Sequence, residues 1–84
     1  KTNFEGADLN IASFLFGDLR EANLKNTNMY RADLSKADLT GADLTNANLT
    51  DAIVDGAIFK NVKGLSTVKG FSTVKGKCHD CGMP

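Results

Sequence analysis

Counting in fives from Phe4, every residue reached is large and apolar: Phe4, Leu9, Phe14, Leu19, Leu24, Met29, Leu34, Leu39, Leu44, Leu49, Val54 and Phe59. Two places before each stands a small residue, Ala in most units, with Thr2, Gly17 and Thr27 as the exceptions. Asp or Asn lies between the two, except at Ser13, Ile53 and Ile58. The register runs unbroken from Thr2 to Asn61.

A period of five suits neither regular element. In a helix, a five-residue step advances the apolar position by roughly 140°, so no stripe accumulates on one face. In a strand, successive apolar positions would fall on alternate faces, so neither face could be buried. A chain that turns a corner after every five residues satisfies the pattern. The small and the large residue of each unit then point inward, and the other three face water. Four sides close a coil of about twenty residues, and stacked coils pair their backbones about 4.8 Å apart.

The unit A(D/N)LXX, as in Ala32-Asp33-Leu34-Ser35-Lys36 and Ala42-Asp43-Leu44-Thr45-Asn46, closely resembles the pentapeptide-repeat family. The resemblance covers residues 2–61 and implies an all-β fold, a right-handed quadrilateral β-helix. Residues 2–61 make about three coils, so position i stacks on i+20. Four core ladders follow: Phe4/Leu24/Leu44, Leu9/Met29/Leu49, Phe14/Leu34/Val54 and Leu19/Leu39/Phe59.

After Asn61 the rhythm changes to sixes. Val62-Lys-Gly-Leu-Ser-Thr is followed by Val68-Lys-Gly-Phe-Ser-Thr and Val74-Lys-Gly. Gly64, Gly70 and Gly76 argue against a long helix. Residues 62–84 read as irregular extended structure that caps the last coil or reaches onto a neighbour, with a short hexapeptide-type β-coil as the alternative. A stacked coil exposes backbone and apolar side chains at its ends. At the other end, either residues precede Lys1 or another molecule covers Phe4, Leu9, Phe14 and Leu19.

Charge divides along the same line. Residues 2–61 carry nine acidic and five basic side chains, and residues 62–84 carry four Lys and one Asp, within a formal net charge of zero. No apolar run approaches the ~20 residues that span a bilayer, so no direct membrane insertion is expected. Most of the Asp residues recur at a structural repeat position, where a carboxylate faces solvent and can bond nearby backbone. His79 is the single histidine, and no catalytic triad, phosphate loop or dinucleotide fingerprint is present. No catalytic, cofactor or metal site is therefore expected. Cys78-His79-Asp80-Cys81 leaves three states open: a local disulfide, free thiols, or a metal shared with a partner chain.

Outward positions are mostly polar, but Ile11, Phe16 and Tyr30 are apolar and are candidate partner contacts. Ile53 and Ile58, in place of Asp/Asn, are expected to lie under the tail. The function this reading favours is a non-enzymatic protein-interaction or scaffold module, an accessory subunit docked on a larger assembly whose partner covers the N-terminal end of the solenoid. The family's distribution implies a chloroplast thylakoid lumen or a cyanobacterial compartment. The alternative from the same resemblance is a DNA mimic that binds a topoisomerase. Duplex DNA presents one charge per about 1.7 Å, whereas three coils rise about 14 Å with a balance of only −4 over residues 2–61. Nucleic acid is not an expected partner.

Overall fold

The repeat becomes structure through its corners. In the computed structural model, which describes residues 2–82, each small residue sends its N–H back to the carbonyl of the preceding large one. Ala12 N–H donates to Leu9 O at 3.0 Å and Ala37 N–H to Leu34 O at 3.0 Å. The residue just before the small one has positive φ: 63° at Ile11, 57° at Lys36, 61° at Asn46 and 73° at Gly41. A positive φ at the third residue of a bonded four-residue turn is what a type II turn requires. Gly and Asn adopt it readily, and other residues do so at a cost.

Each corner is followed by a short extended segment that pairs in parallel with the segment twenty residues on. Side 1 stacks Asn3, Asn23, Asp43 and Lys63, and side 2 stacks Asp8, Asn28, Asn48 and Lys69. Side 3 stacks Ser13, Asp33, Ile53 and Lys75, and side 4 stacks Asp18, Asp38, Ile58 and His79. One pentad shows how every N–H is satisfied. Ala32 donates to Met29 O within the corner, Asp33 to Ala12 O on the rung below, Leu34 to Ile53 O and Lys36 to Asp55 O on the rung above. Ser35 donates to the Asp33 side chain at 2.9 Å. The Asp/Asn of the repeat thus supplies the one acceptor that the backbone ladder lacks. Ile53 and Ile58 offer no such oxygen.

The interior is filled. Leu24, Met29, Leu34, Leu39, Leu44, Leu49 and Val54 are wholly buried, as are Ala32, Ala37, Ala42, Ala47, Ala52 and Ala57. Thr27, at a small position, is also buried, and its hydroxyl donates to Leu24 O at 2.8 Å. At the first rung Phe4, Leu9 and Phe14 are only partly buried, and the Phe4 and Phe14 rings meet edge to face at 5.9 Å.

The tail corrects the expectation of an irregular extension. Lys63, Lys69, Lys75 and His79 each bridge the third rung, so residues 62–82 make a fourth one. Its sides are one residue longer at two corners, where Leu65–Thr67 and Phe71–Thr73 form single 3-10 turns behind Gly64 and Gly70. Thr67 and Thr73 absorb the extra residue. The Thr67 hydroxyl donates to Gly64 O at 2.6 Å and accepts from Asn46 N–H at 2.8 Å. Thr73 does the same with Gly70 O and Asp51 N–H. A hydroxyl here takes the place of the carbonyl that lower rungs present. Only glycine fits behind these turns: a Cβ on Gly70 would lie 2.8 Å from Thr50 Cα, at a φ of 74°. Leu65 and Phe71 fold onto the core, with Phe71 5.8 Å from Phe59.

The narrow interior makes both inward positions sensitive to volume. Leu34→Ala should lose about 2–5 kcal/mol through the void it leaves, and Ala37→Leu about 1–3 kcal/mol through overpacking. Chemical denaturation midpoints of the two variants measure both losses, and two near-neutral results would contradict the inward assignment.

Candidate functional site

With both inward columns occupied, the outer surface is what can be recognised. Among the described residues, no helix is long and apolar enough to cross a membrane. Among the same residues, no group of three or more His, Cys, Asp or Glu side chains is placed to hold a metal ion. His79 is exposed at the top of side 4. Cys78 and Cys81 are joined by a disulfide, with Cα atoms 5.9 Å apart. Cys81 is buried in the apolar core and Cys78 is partly buried against it, so the pair completes the fourth rung where the hexad pattern has run out.

The exposed acids are fixed by local bonds. Asp38 accepts from the Thr40 hydroxyl at 2.6 Å and the Thr40 N–H at 3.0 Å, and Asp43 does the same with Thr45. These hydroxyl and then backbone donors hold both carboxyls below the usual carboxylate range, and those of Ser35 do the same for Asp33. Asp18 is lowered to about 2, first by the Arg20 guanidinium, which donates to it at 2.8 and 2.9 Å, and then by the Arg20 N–H. These bonds are the turn-forming pattern of the repeat.

The exposed apolar residues are distributed differently. Ile11 is 64% exposed, Leu15 50%, Phe16 69%, and Tyr30 and Ile53 37% each. Ile53 lies on side 3, in the column of Ser13 and Asp33. Ile11 and Tyr30 occupy the corner that leads into side 3, where Ile11 N–H donates to Tyr30 O at 2.9 Å. Leu15 and Phe16 occupy the corner that leaves it, where Phe16 N–H donates to Ser35 O at 3.0 Å. All five therefore border or lie on one side of the square. The expected contacts Ile11, Phe16 and Tyr30 fall together there, joined by Leu15 and Ile53. Leu15 was legible only as the apolar partner of Phe16 in a corner, a signal the pentad count alone passes over. Ile53 sits beneath Lys75 and Ile58 beneath His79, in register with the tail, yet the Ile53 side chain still reaches solvent.

Backbone geometry adds a second mark. Ile11 and Phe16 hold φ of 63° and 59°. Every other described pentad places Gly, Asn or a charged residue at that position. A β-branched residue there is a conformational outlier. Folding alone does not favour Ile11 or Phe16 at these corners, since neither is buried in return.

A family model described as pentapeptide repeats matches residues 1–26 and 27–63, in eight copies. Among solved structures, the chain resembles a pentapeptide repeat protein from the Arabidopsis thaliana thylakoid lumen at 38% identity and TM-score 0.72, over 73% of this chain and 42% of that one. It also resembles HetL, a pentapeptide repeat protein involved in heterocyst differentiation regulation in the cyanobacterium Nostoc, at 24% identity and TM-score 0.71, over 94% of this chain and 38% of that one. The chain thus spans about two fifths of the length of either protein. No curated protein matches it. These relatives carry the right-handed β-helix, in agreement with the stacked rungs seen here.

Two expectations follow. The carboxyls of Asp33, Asp38 and Asp43 have folded-state pKa values below their unfolded ones, so the unfolded chain binds protons first. Stability is then full above about pH 4 and is lost as pH falls through the folded values. Thermal midpoints should decline below that point, and the triple variant Asp33→Asn, Asp38→Asn, Asp43→Asn, which keeps the amide oxygens, should show a flatter decline. Ile11→Asn removes the strained corner and should raise stability by about 1 kcal/mol; an unchanged denaturation midpoint would show that Ile11 bears no such strain.

Proposed function

The chain belongs to the pentapeptide-repeat family, and on that premise we propose that it is a non-enzymatic module that docks on another protein through side 3. Proteins of this family are generally non-enzymatic and act by interaction or scaffolding. The observation that carries the reading is the confinement of Ile11, Leu15, Phe16, Tyr30 and Ile53 to one side and its two corners. Single exposed apolar residues are ordinary on a protein surface, whereas a contiguous group marks an interaction site. The strained corners at Ile11 and Phe16 support the same side.

The filled interior bears on catalysis as well. A square coil lined by Leu and Ala encloses no cavity in which reacting groups could be shielded from water. The module is an accessory subunit of a larger assembly, and the lumenal origin of the Arabidopsis relative favours a photosynthetic setting.

The test is position-dependent cross-linking in the native setting. A photoreactive residue at position 16, on side 3, should give adducts with another protein. The same residue at position 25, on side 1, should give none. A chain that runs as a free monomer with adducts at neither position would contradict the docking role.

A further inference from the structure

Side 3 carries a charge pattern as well as apolar residues. Residues 10–17 hold no charged side chain, and they form the first-rung stretch from one corner to the next. One rung higher, each corner presents a cation against an aromatic ring. The Arg31 guanidinium carbon lies 5.8 Å from the Tyr30 ring centroid, and Lys36 Nζ lies 5.6 Å from that of Phe16. Among the described residues, the ion pairs are Arg20 with Asp18 and Lys75 with Asp51. Neither Arg31 nor Lys36 is a member of these pairs. Asp33 sits between them but is turned onto Ser35 N–H.

From this arrangement we infer that side 3 takes an amphipathic segment of another protein whose apolar stripe is flanked by carboxylates. The inference rests on the docking reading above and specifies its partner's chemistry. The apolar stripe covers Ile11, Leu15 and Phe16, and the small Ser13 between the two corners leaves a shallow floor for it. The flanking carboxylates meet Arg31 and Lys36, whose positions on the rings restrict them to the rim of the patch. An aromatic ring at the edge of such a contact excludes water from the charge pair and strengthens it. A lysine-flanked segment would instead place like charges together, so the same two cations discriminate against it. Acids elsewhere on the first rung do not offset this, because Glu5 lies at the corner after side 1, Asp8 on side 2 and Asp18 on side 4.

A lipid surface fits the arrangement less well. Asp51 and Asp55 flank the same side one rung above the cations; a continuous anionic plane would meet them as well as Arg31 and Lys36, whereas a single segment lying along the first rung meets the two cations first. A parallel pairing with a second copy of the chain fits less well too, because Arg31 would then face Lys36 and Asp51 would face Asp55.

The experiment uses two synthetic helical peptides of about 14 residues, roughly 21 Å long. They share one Leu/Phe stripe and one Trp, and they differ only in flanking Glu or flanking Lys. The chain contains no Trp, so the peptide's fluorescence reports binding alone. The Glu-flanked peptide should bind at least tenfold more tightly than the Lys-flanked one, and raising salt from about 50 to about 500 mM should weaken it several-fold. Phe16→Ser should weaken it at least tenfold with the denaturation midpoint unchanged. Arg31→Glu combined with Lys36→Glu should reverse the preference between the two peptides. Failure of the Glu-flanked peptide to bind, equal binding of both, or a preference that survives the charge reversal would overturn the inference. Phe16-dependent binding to phosphatidylglycerol vesicles, or Phe16-dependent self-association, without peptide binding, would overturn it as well. Cross-linking at position 16 that persists alongside such a failure leaves docking intact and removes only the assigned partner chemistry.

Discussion

Backbone pairing between residues twenty apart is the constraint from which the rest of the molecule follows. A rung rises only about 4.8 Å per circuit, so every side must be short, straight and in register with its neighbours above and below. The corner after each fifth residue makes this possible, and it sets the chemistry of the repeat. A small residue admits the close turn, a large one fills the space that four sides enclose, and Asp or Asn accepts from the one N–H that no carbonyl reaches. Position by position, the pentad states a hydrogen-bonding requirement together with a packing one.

That dual requirement explains what the sequence disclosed. The twelve large residues and their small companions declare the core, because volume and burial leave a period in the chain. Their stacking at i and i+20 is visible for the same reason. The hexads were harder to place. Val62-Lys63-Gly64 puts glycine where the pentad puts leucine, and the apolar residue that covers the core, Leu65 or Phe71, arrives one step late inside a 3-10 turn. The fourth rung keeps the backbone ladder with a different side-chain solution, in which Thr67 and Thr73 offer hydroxyls for missing carbonyls. Pattern alone does not reveal that substitution, because it depends on where a hydroxyl falls relative to the rung below. The candidate surface was half legible. Ile11, Phe16 and Tyr30 stand out as apolar residues at polar positions, but their assembly on one side with Leu15 and Ile53 needs the register of the corners.

The filled interior leaves recognition to the outer surface. The Asp side chains of the repeat point outward, and local donors hold those of Asp18, Asp33, Asp38 and Asp43 below the usual carboxylate range. What differs from pentad to pentad is the decoration of four flat sides. Sides 1, 2 and 4 largely follow the repeat, with polar residues that bond their own backbone. Side 3 departs from it in residue type, in exposure and in the backbone strain at Ile11 and Phe16. Such departures are where a sequence serves something other than its own fold.

The rung register itself is open to direct measurement by solution NMR of the isotope-labelled chain. Inter-rung contacts between backbone protons should join Asp33 to Ile53 and Asp43 to Lys63, and they should continue through Asn48 to Lys69 and Ile53 to Lys75 despite the longer hexads. The amides of Lys63, Lys69 and Lys75, which donate to Ala42, Ala47 and Ala52, should exchange slowly with solvent. Absent contacts at these separations, with rapid exchange throughout residues 62–82, would contradict a four-rung solenoid and the ordered side built upon it.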